Sequence, residues 1–185
     1  MNRQMLLMVA LLVLCQLLCV ACDVTVTAHR MKRFSKAVIT FPDSLELFFN
    51  EGSSYVSFES EEGLHPRRQV IFIDSLECSL CRVQKIKQYE DLFLESIKNR
   101  RFDLIIILSP NKKEIPLLRS YLLSQNLKVP VFLDSNNGFY SKNQFLQTNR
   151  HFHAFLLDNS GHPIFIGDPS RGGKLYELFE QTIMI

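Results

Sequence analysis

The chain has 185 residues, a formal net charge of +2 and a hydrophobic content of 46%. Its Lys and Arg are scattered rather than gathered in a stripe, so nothing supports nucleic-acid binding. Glycine is sparse, with no phosphate-cradling loop and no internal repeat, and the carboxylates form no acid–base pair for hydrolysis.

The first residues read MNRQMLLMVALLVLCQLLCVAC. Arg3 supplies a positive start, and the stretch from Met5 to Val20 is apolar apart from Gln16. Val20 and Ala21 then lead to Cys22. This is the three-part layout of a secretory signal. A retained membrane helix is the alternative, but the stretch is barely long enough and no basic cluster follows it directly. The segment resembles a bacterial lipoprotein signal, although Cys19 stands where such motifs usually carry leucine. That resemblance implies cleavage after residue 21, a lipid on Cys22 and anchoring by acyl chains rather than by a span. With Cys15 and Cys19 removed and Cys22 lipidated, Cys78 and Cys81 remain as thiols in a disulfide-permissive compartment. They are then expected to pair with each other.

Residues 22–66 read as a tether and an N-terminal β extension, and residues 67–185 as one ordered domain. In the extension, Ala37 to Phe41 is a short apolar strand stopped by Pro42, and EGSSYVSFES alternates like another. Val70 to Ile73 is a continuous apolar run suited to a strand buried on both faces. After the CSLC stretch, Val83, Ile86, Tyr89, Leu92, Phe93 and Ile97 recur at helical spacing. Phe102 to Leu108 is a second buried strand, and Glu114 to Leu127 reads as a helix with Pro116 in its first turn. Val129 to Leu133 is a third strand, which Pro130 assigns to an edge or a strand start. Asp134 and Asn136 read as turn residues, and Phe139 to Leu146 as a short helix. His153 to Leu157 and Pro163 to Gly167 are two strands joined by the hairpin turn Asp158-Asn159-Ser160-Gly161. A last helix spans Lys174 to Ile183, with Leu175, Leu178, Phe179 and Ile183 on one face. Alternating strands and helices imply parallel pairs with right-handed crossovers.

A CxxC at the start of a helix after a buried strand, followed by FLLDNSGHPIFIG and a final helix, resembles the thioredoxin-like superfamily. The likeness extends to extracytoplasmic thiol-disulfide oxidoreductases and lipoproteins of Bacteroidetes-type bacteria. It covers about Arg67 to Ile185. It implies an α/β fold: a three-layer α/β/α arrangement with a central mixed sheet and a C-terminal β-hairpin plus helix. It also implies that Cys78 attacks a substrate disulfide and Cys81 resolves the mixed disulfide. No cofactor is implied. The implied partners are exported proteins with thiols or disulfides and, through the lipid, a membrane of the bacterial cell envelope.

Three positions depart from the family. Glu77 stands where tryptophan usually precedes the first cysteine, and a carboxylate there raises the neighbouring thiol pKa. Phe152 occupies the place of the usual cis-proline. The place of the buried acid in the first central strand falls near Phe72, leaving Glu77 or Asp74 as proton acceptor. His151 and His153 share a strand face opposite the cysteines, so Cys78, Cys81, His151 and His153 form an alternative copper set. Three functions follow: disulfide exchange, a non-catalytic binding module with a structural disulfide, or a copper-binding chaperone.

Overall fold

The apolar runs read from the sequence become the centre of a seven-stranded sheet. The computed structural model describes residues 27–50, 52–57, 65, 67–75, 79–148 and 150–184, with backbone only at 79, 80, 82, 147, 148 and 151. The signal segment, Cys22, Glu77 and Cys78 lie outside the described residues. The chain divides into two units, residues 1–37 and 38–185. The first is helical over residues 27–34. The second holds the whole sheet.

Its elements in chain order are β1 (Ser44–Asn50), β2 (Gly52–Ser57), β3 (Arg68–Ile73), α1 (Ser79–Gln84), α2 (Glu90–Asn99), β4 (Asp103–Leu108), α3 (Ile115–Ser124), β5 (Leu127–Leu133), α4 (Gly138–Lys142), β6 (Ala154–Leu157), β7 (Pro163–Ile166) and α5 (Gly173–Met184). The strand order is β2-β1-β5-β4-β3-β6-β7. Strands β3, β4 and β5 run parallel, whereas β6, β7 and the β1–β2 hairpin add antiparallel pairs. The sheet is therefore mixed, with the expected hairpin and helix at its C-terminal end.

Strand alternation sends Ile71, Ile73, Leu104, Ile106 and Leu108 into one core with Val83, Ile86, Leu92, Leu118 and Phe179 from the helices. Val70 and Phe72 point the other way, where Phe72 packs at 5.3 Å from Phe139 of α4. Burying one such large apolar side chain stabilises the fold by about 1.5–3 kcal/mol.

Four local expectations change. Residues 37–41 form no strand; the segment is held by side-chain and turn hydrogen bonds instead. The strand lies one step later, at β1. The helix after the cysteines is broken into α1, a 3-10 turn over Ile86–Tyr89, and α2. In a 3-10 turn residues i and i+3 eclipse, which lets Ile86 and Tyr89 both be buried. Ile97 and Leu178, assigned to apolar faces, are exposed, and Ser96 is buried in place of Ile97. Finally, β5 is interior, between β1 and β4. Pro130 is tolerated there because the β4 ladder starts at Val131 and the β1 ladder shifts register between Phe48 and Asn50, opposite that stretch.

Candidate functional site

The parallel strand β3 ends at Ile73, and Asp74 and Ser75 lead towards α1, which contains Cys81. This connection is fixed from both sides. On the β4 side, the Ser109 N–H donates to the Ile73 carbonyl at 2.9 Å, and Asn111 Nδ2 donates to the Ser75 carbonyl at 3.1 Å. On the β6 side, the Phe72 N–H donates to the His153 carbonyl at 2.7 Å, carrying the ladder one step beyond Ala154. The 3-10 turn Arg150–Phe152 is thereby placed beside the end of β3.

Cys81 is exposed and disulfide-bonded. Asp74 is buried, with Oδ2 at 3.8 Å from Nε of the half-exposed Arg150. Arg150 escaped the sequence reading; the only signal for it was a charged residue directly before His151. Phe72, in the place of the family's buried acid, packs among aromatic rings: besides Phe139 it stacks on Tyr140 at 5.9 Å and meets the His153 ring edge-on at 5.1 Å.

Phe152 is buried, and no peptide bond among the described residues is cis. His153 is buried too, and its Nε2 lies 3.1 Å from the Leu146 carbonyl, where it donates. That nitrogen is committed to the protein. The side chain of His151 lies outside the described residues, as do Glu77 and Cys78. No cluster of three or more potential metal-binding side chains occurs among the described residues.

A second polar cluster sits at the ends of β4 and β5. Asp134 is buried and accepts from the Gly138 and Phe139 N–H groups at 2.8 and 2.9 Å. Ser109 Oγ lies 3.2 Å from Asp134 Oδ2 and 2.7 Å from Asn137 Oδ1. Burial raises the Asp134 carboxyl above the usual carboxylate range, and the N–H donors offset part of that rise. The turn role read for Asp134 is thus extended: it also ties β5 to Ser109 at the end of β4.

This order of strands and helices, with a disulfide-bonded cysteine in the helix after a central strand, decides the architecture. The chain has a thioredoxin-like fold. The mitochondrial 2-Cys peroxiredoxin of Plasmodium falciparum matches it at 13% identity with a TM-score of 0.50, over 79% of this chain and 92% of that one. The exposed lipoprotein thioredoxin Etrx1 of Streptococcus pneumoniae strain TIGR4 matches at 14% identity and a TM-score of 0.46, over 76% of this chain and 98% of that one. A thioredoxin-like protein of Porphyromonas gingivalis matches at 18% identity and a TM-score of 0.45, over 80% and 92% of the two chains. No family model and no curated protein matches the sequence.

Proposed function

We propose that this thioredoxin-like protein is an exported, lipid-anchored thiol–disulfide exchange protein that works through Cys78 and Cys81. The observation that carries the reading is Cys81 itself: disulfide-bonded, exposed, and seated where β3 turns into a helix. The CxxC spacing in the sequence favours Cys78 as its partner. In the reduced protein the Cys78 thiolate attacks a substrate disulfide and forms a mixed disulfide. The Cys81 thiolate then attacks the Cys78 sulfur, releasing the substrate as a dithiol and restoring the internal disulfide. Two electrons pass to the substrate, and Asp74 or Glu77 takes up a proton from the resolving thiol. Export and lipidation at Cys22 rest on the signal-like N-terminus. Among the described residues no helix is long and apolar enough to cross a membrane.

The trans backbone at Phe152 favours a second reading. A loop without the family's cis-proline offers substrate backbone a different surface, so exchange is slow, or the disulfide is purely structural and the protein a binding module. The reduction potential separates the two. Equilibrating the full chain with glutathione or dithiothreitol and counting thiols by mass spectrometry is expected to give a value in the range of exchange proteins. Cys81→Ser is expected to accumulate mixed disulfides. A disulfide below about −300 mV, or one closed to reductant, overturns the exchange reading in favour of the structural one.

A further inference from the structure

The turn after β5 joins an asparagine to a glycine, Asn137-Gly138, and such a pair can modify itself. The Gly138 nitrogen, with no Cβ beside it to crowd the approach, attacks Cγ of Asn137. The N–Cγ bond forms and the Cγ–Nδ2 bond breaks. The side-chain nitrogen leaves as ammonia, taking up the proton of the Gly138 nitrogen. Water then opens the succinimide ring at either carbonyl and leaves aspartate or isoaspartate at position 137.

The fold keeps the reacting atoms apart. Asn137 has a left-handed backbone, with φ 54° and ψ 31°. At that ψ the Gly138 nitrogen points away from Cβ of Asn137, whereas ring closure needs the two eclipsed. Each group is also held elsewhere. The Gly138 N–H donates to Asp134 Oδ1 at 2.8 Å, the Asn137 N–H donates to the Asp134 carbonyl at 3.3 Å, and Asn137 Oδ1 accepts from Ser109 Oγ at 2.7 Å. The reaction therefore requires the turn to open. Water has access to it, since Asp134, Asn136 and Gly138 line an open cleft with Pro42 and Ser44.

We infer that Asn137-Gly138 is a self-modification site, gated by opening of the 134–138 turn, whose product keeps that turn from closing. An aspartate at position 137 puts a second carboxylate within reach of Ser109 Oγ, which has one proton to give and already lies 3.2 Å from Asp134 Oδ2. Like charges so placed repel. Isoaspartate inserts an extra backbone carbon before Gly138 and carries its N–H away from Asp134. Opening of the turn is thus recorded where Asp134 holds α4. The site needs neither the cysteines nor the exchange function.

The test incubates the full chain at mildly alkaline pH, folded or in urea, beside a synthetic peptide of residues 133–141. Peptide mapping by mass spectrometry counts amide converted to acid at position 137. The peptide and the unfolded chain are expected to react alike, and the folded chain about tenfold slower or less, as for any reaction that waits on local opening. Ser109→Ala is expected to speed the folded chain severalfold and to leave the rate in urea unchanged. If that variant does not fold, the comparison of folded and unfolded native chain decides the gating alone. Asn137→Asp is expected to speed hydrogen exchange at the Gly138 and Phe139 amides while β3 amides keep their protection. Equal rates in folded and unfolded chain, or no reaction in either, overturn the gated site. Unchanged exchange at Gly138 and Phe139 in Asn137→Asp overturns the claim that the product holds the turn open.

Discussion

Asn143 clasps Thr40 with both ends of its amide. Its Nδ2 donates to the Thr40 carbonyl at 2.8 Å, and its Oδ1 accepts from the Thr40 N–H at 3.0 Å. The same Nδ2 donates to the Phe139 carbonyl at 2.7 Å, and the side chain is fully buried. Asn143 thus gives residue 40 the hydrogen bonds that a neighbouring strand would give. The segment is fixed again where the Ile39 N–H donates to the Gly161 carbonyl at 2.9 Å.

The first prediction tests this clasp. Asn143→Leu keeps an apolar bulk but leaves the Thr40 groups without their partner. The expected loss is about 2–4 kcal/mol, from the stripped backbone groups together with the lost bonds. Hydrogen exchange at the Thr40 amide is expected to speed up more than exchange at β3 amides. Uniform acceleration across both places defeats the idea of a local clasp.

The second prediction concerns Glu46 of β1, which is buried at 6% exposure and accepts from Arg119 of α3. Arg119 Nη2 reaches Oε2 at 2.7 Å and Nε reaches both oxygens at 3.1 Å. The hydrogen bond to Glu46 raises the guanidinium pKa above its usual value. Glu46→Gln keeps the shape and removes the charge. Because Arg119 is itself partly exposed, the expected cost is about 1–3 kcal/mol rather than that of a wholly buried pair. Denaturant unfolding of the single variants and of the double variant isolates the coupling. A coupling energy near zero sinks the claim that this pair fastens α3 to the hairpin.

Parts of this architecture were legible and parts were not, for physical reasons that differ by residue. The runs at Val70–Ile73 and Phe102–Leu108 were clear because strands covered on both faces must be continuously apolar. The turn at Asp158–Gly161 was clear because its chemistry is local: Asp158 Oδ1 accepts from the Ser160 and His162 N–H groups, both at 2.9 Å, and Gly161 takes a positive φ of 81°. Pro130 misled because a neighbour's register shift, invisible in one segment, let an interior strand accept a proline. Residues 37–41 misled because Asn143 gives Thr40, and Gly161 gives Ile39, strand-like hydrogen bonds from more than 100 positions away. At the site, cysteine spacing pointed to Cys81, while Arg150 and Asn111 act only through contacts made by folding.

The third prediction uses Gly167, just after β7. Its φ is +149°, and a Cβ there meets Leu175 Cδ1 at 2.8 Å and Phe165 Cζ at 3.2 Å. Its N–H donates to the Ala154 carbonyl at 2.8 Å, so the backbone cannot simply swing away. Gly167→Ala is expected to lower stability by about 1–3 kcal/mol through strain and crowding. Shortening Leu175 to Val in the same chain is expected to recover part of that loss. If the second change recovers nothing, the contact with Leu175 is not the cause.

The fourth prediction follows from the buried carboxyl of Asp134. Its folded pKa lies above its unfolded value because burial disfavours the charged form. Between those two values the folded chain holds the proton more often than the unfolded one. By linkage, this residue's contribution to stability falls as pH rises from the unfolded value through the folded one, and is constant outside that window. Asp134→Asn removes the titration while leaving an oxygen to accept from Gly138 or Phe139. The stability of the variant minus that of the native chain is therefore expected to increase with pH across the window and to be flat above it. Urea unfolding of both chains at a series of pH values measures this difference directly. A difference that stays constant shows that the N–H donors fully offset burial, and one that declines with pH shows that they outweigh it and that Asp134 is held as a stabilised carboxylate.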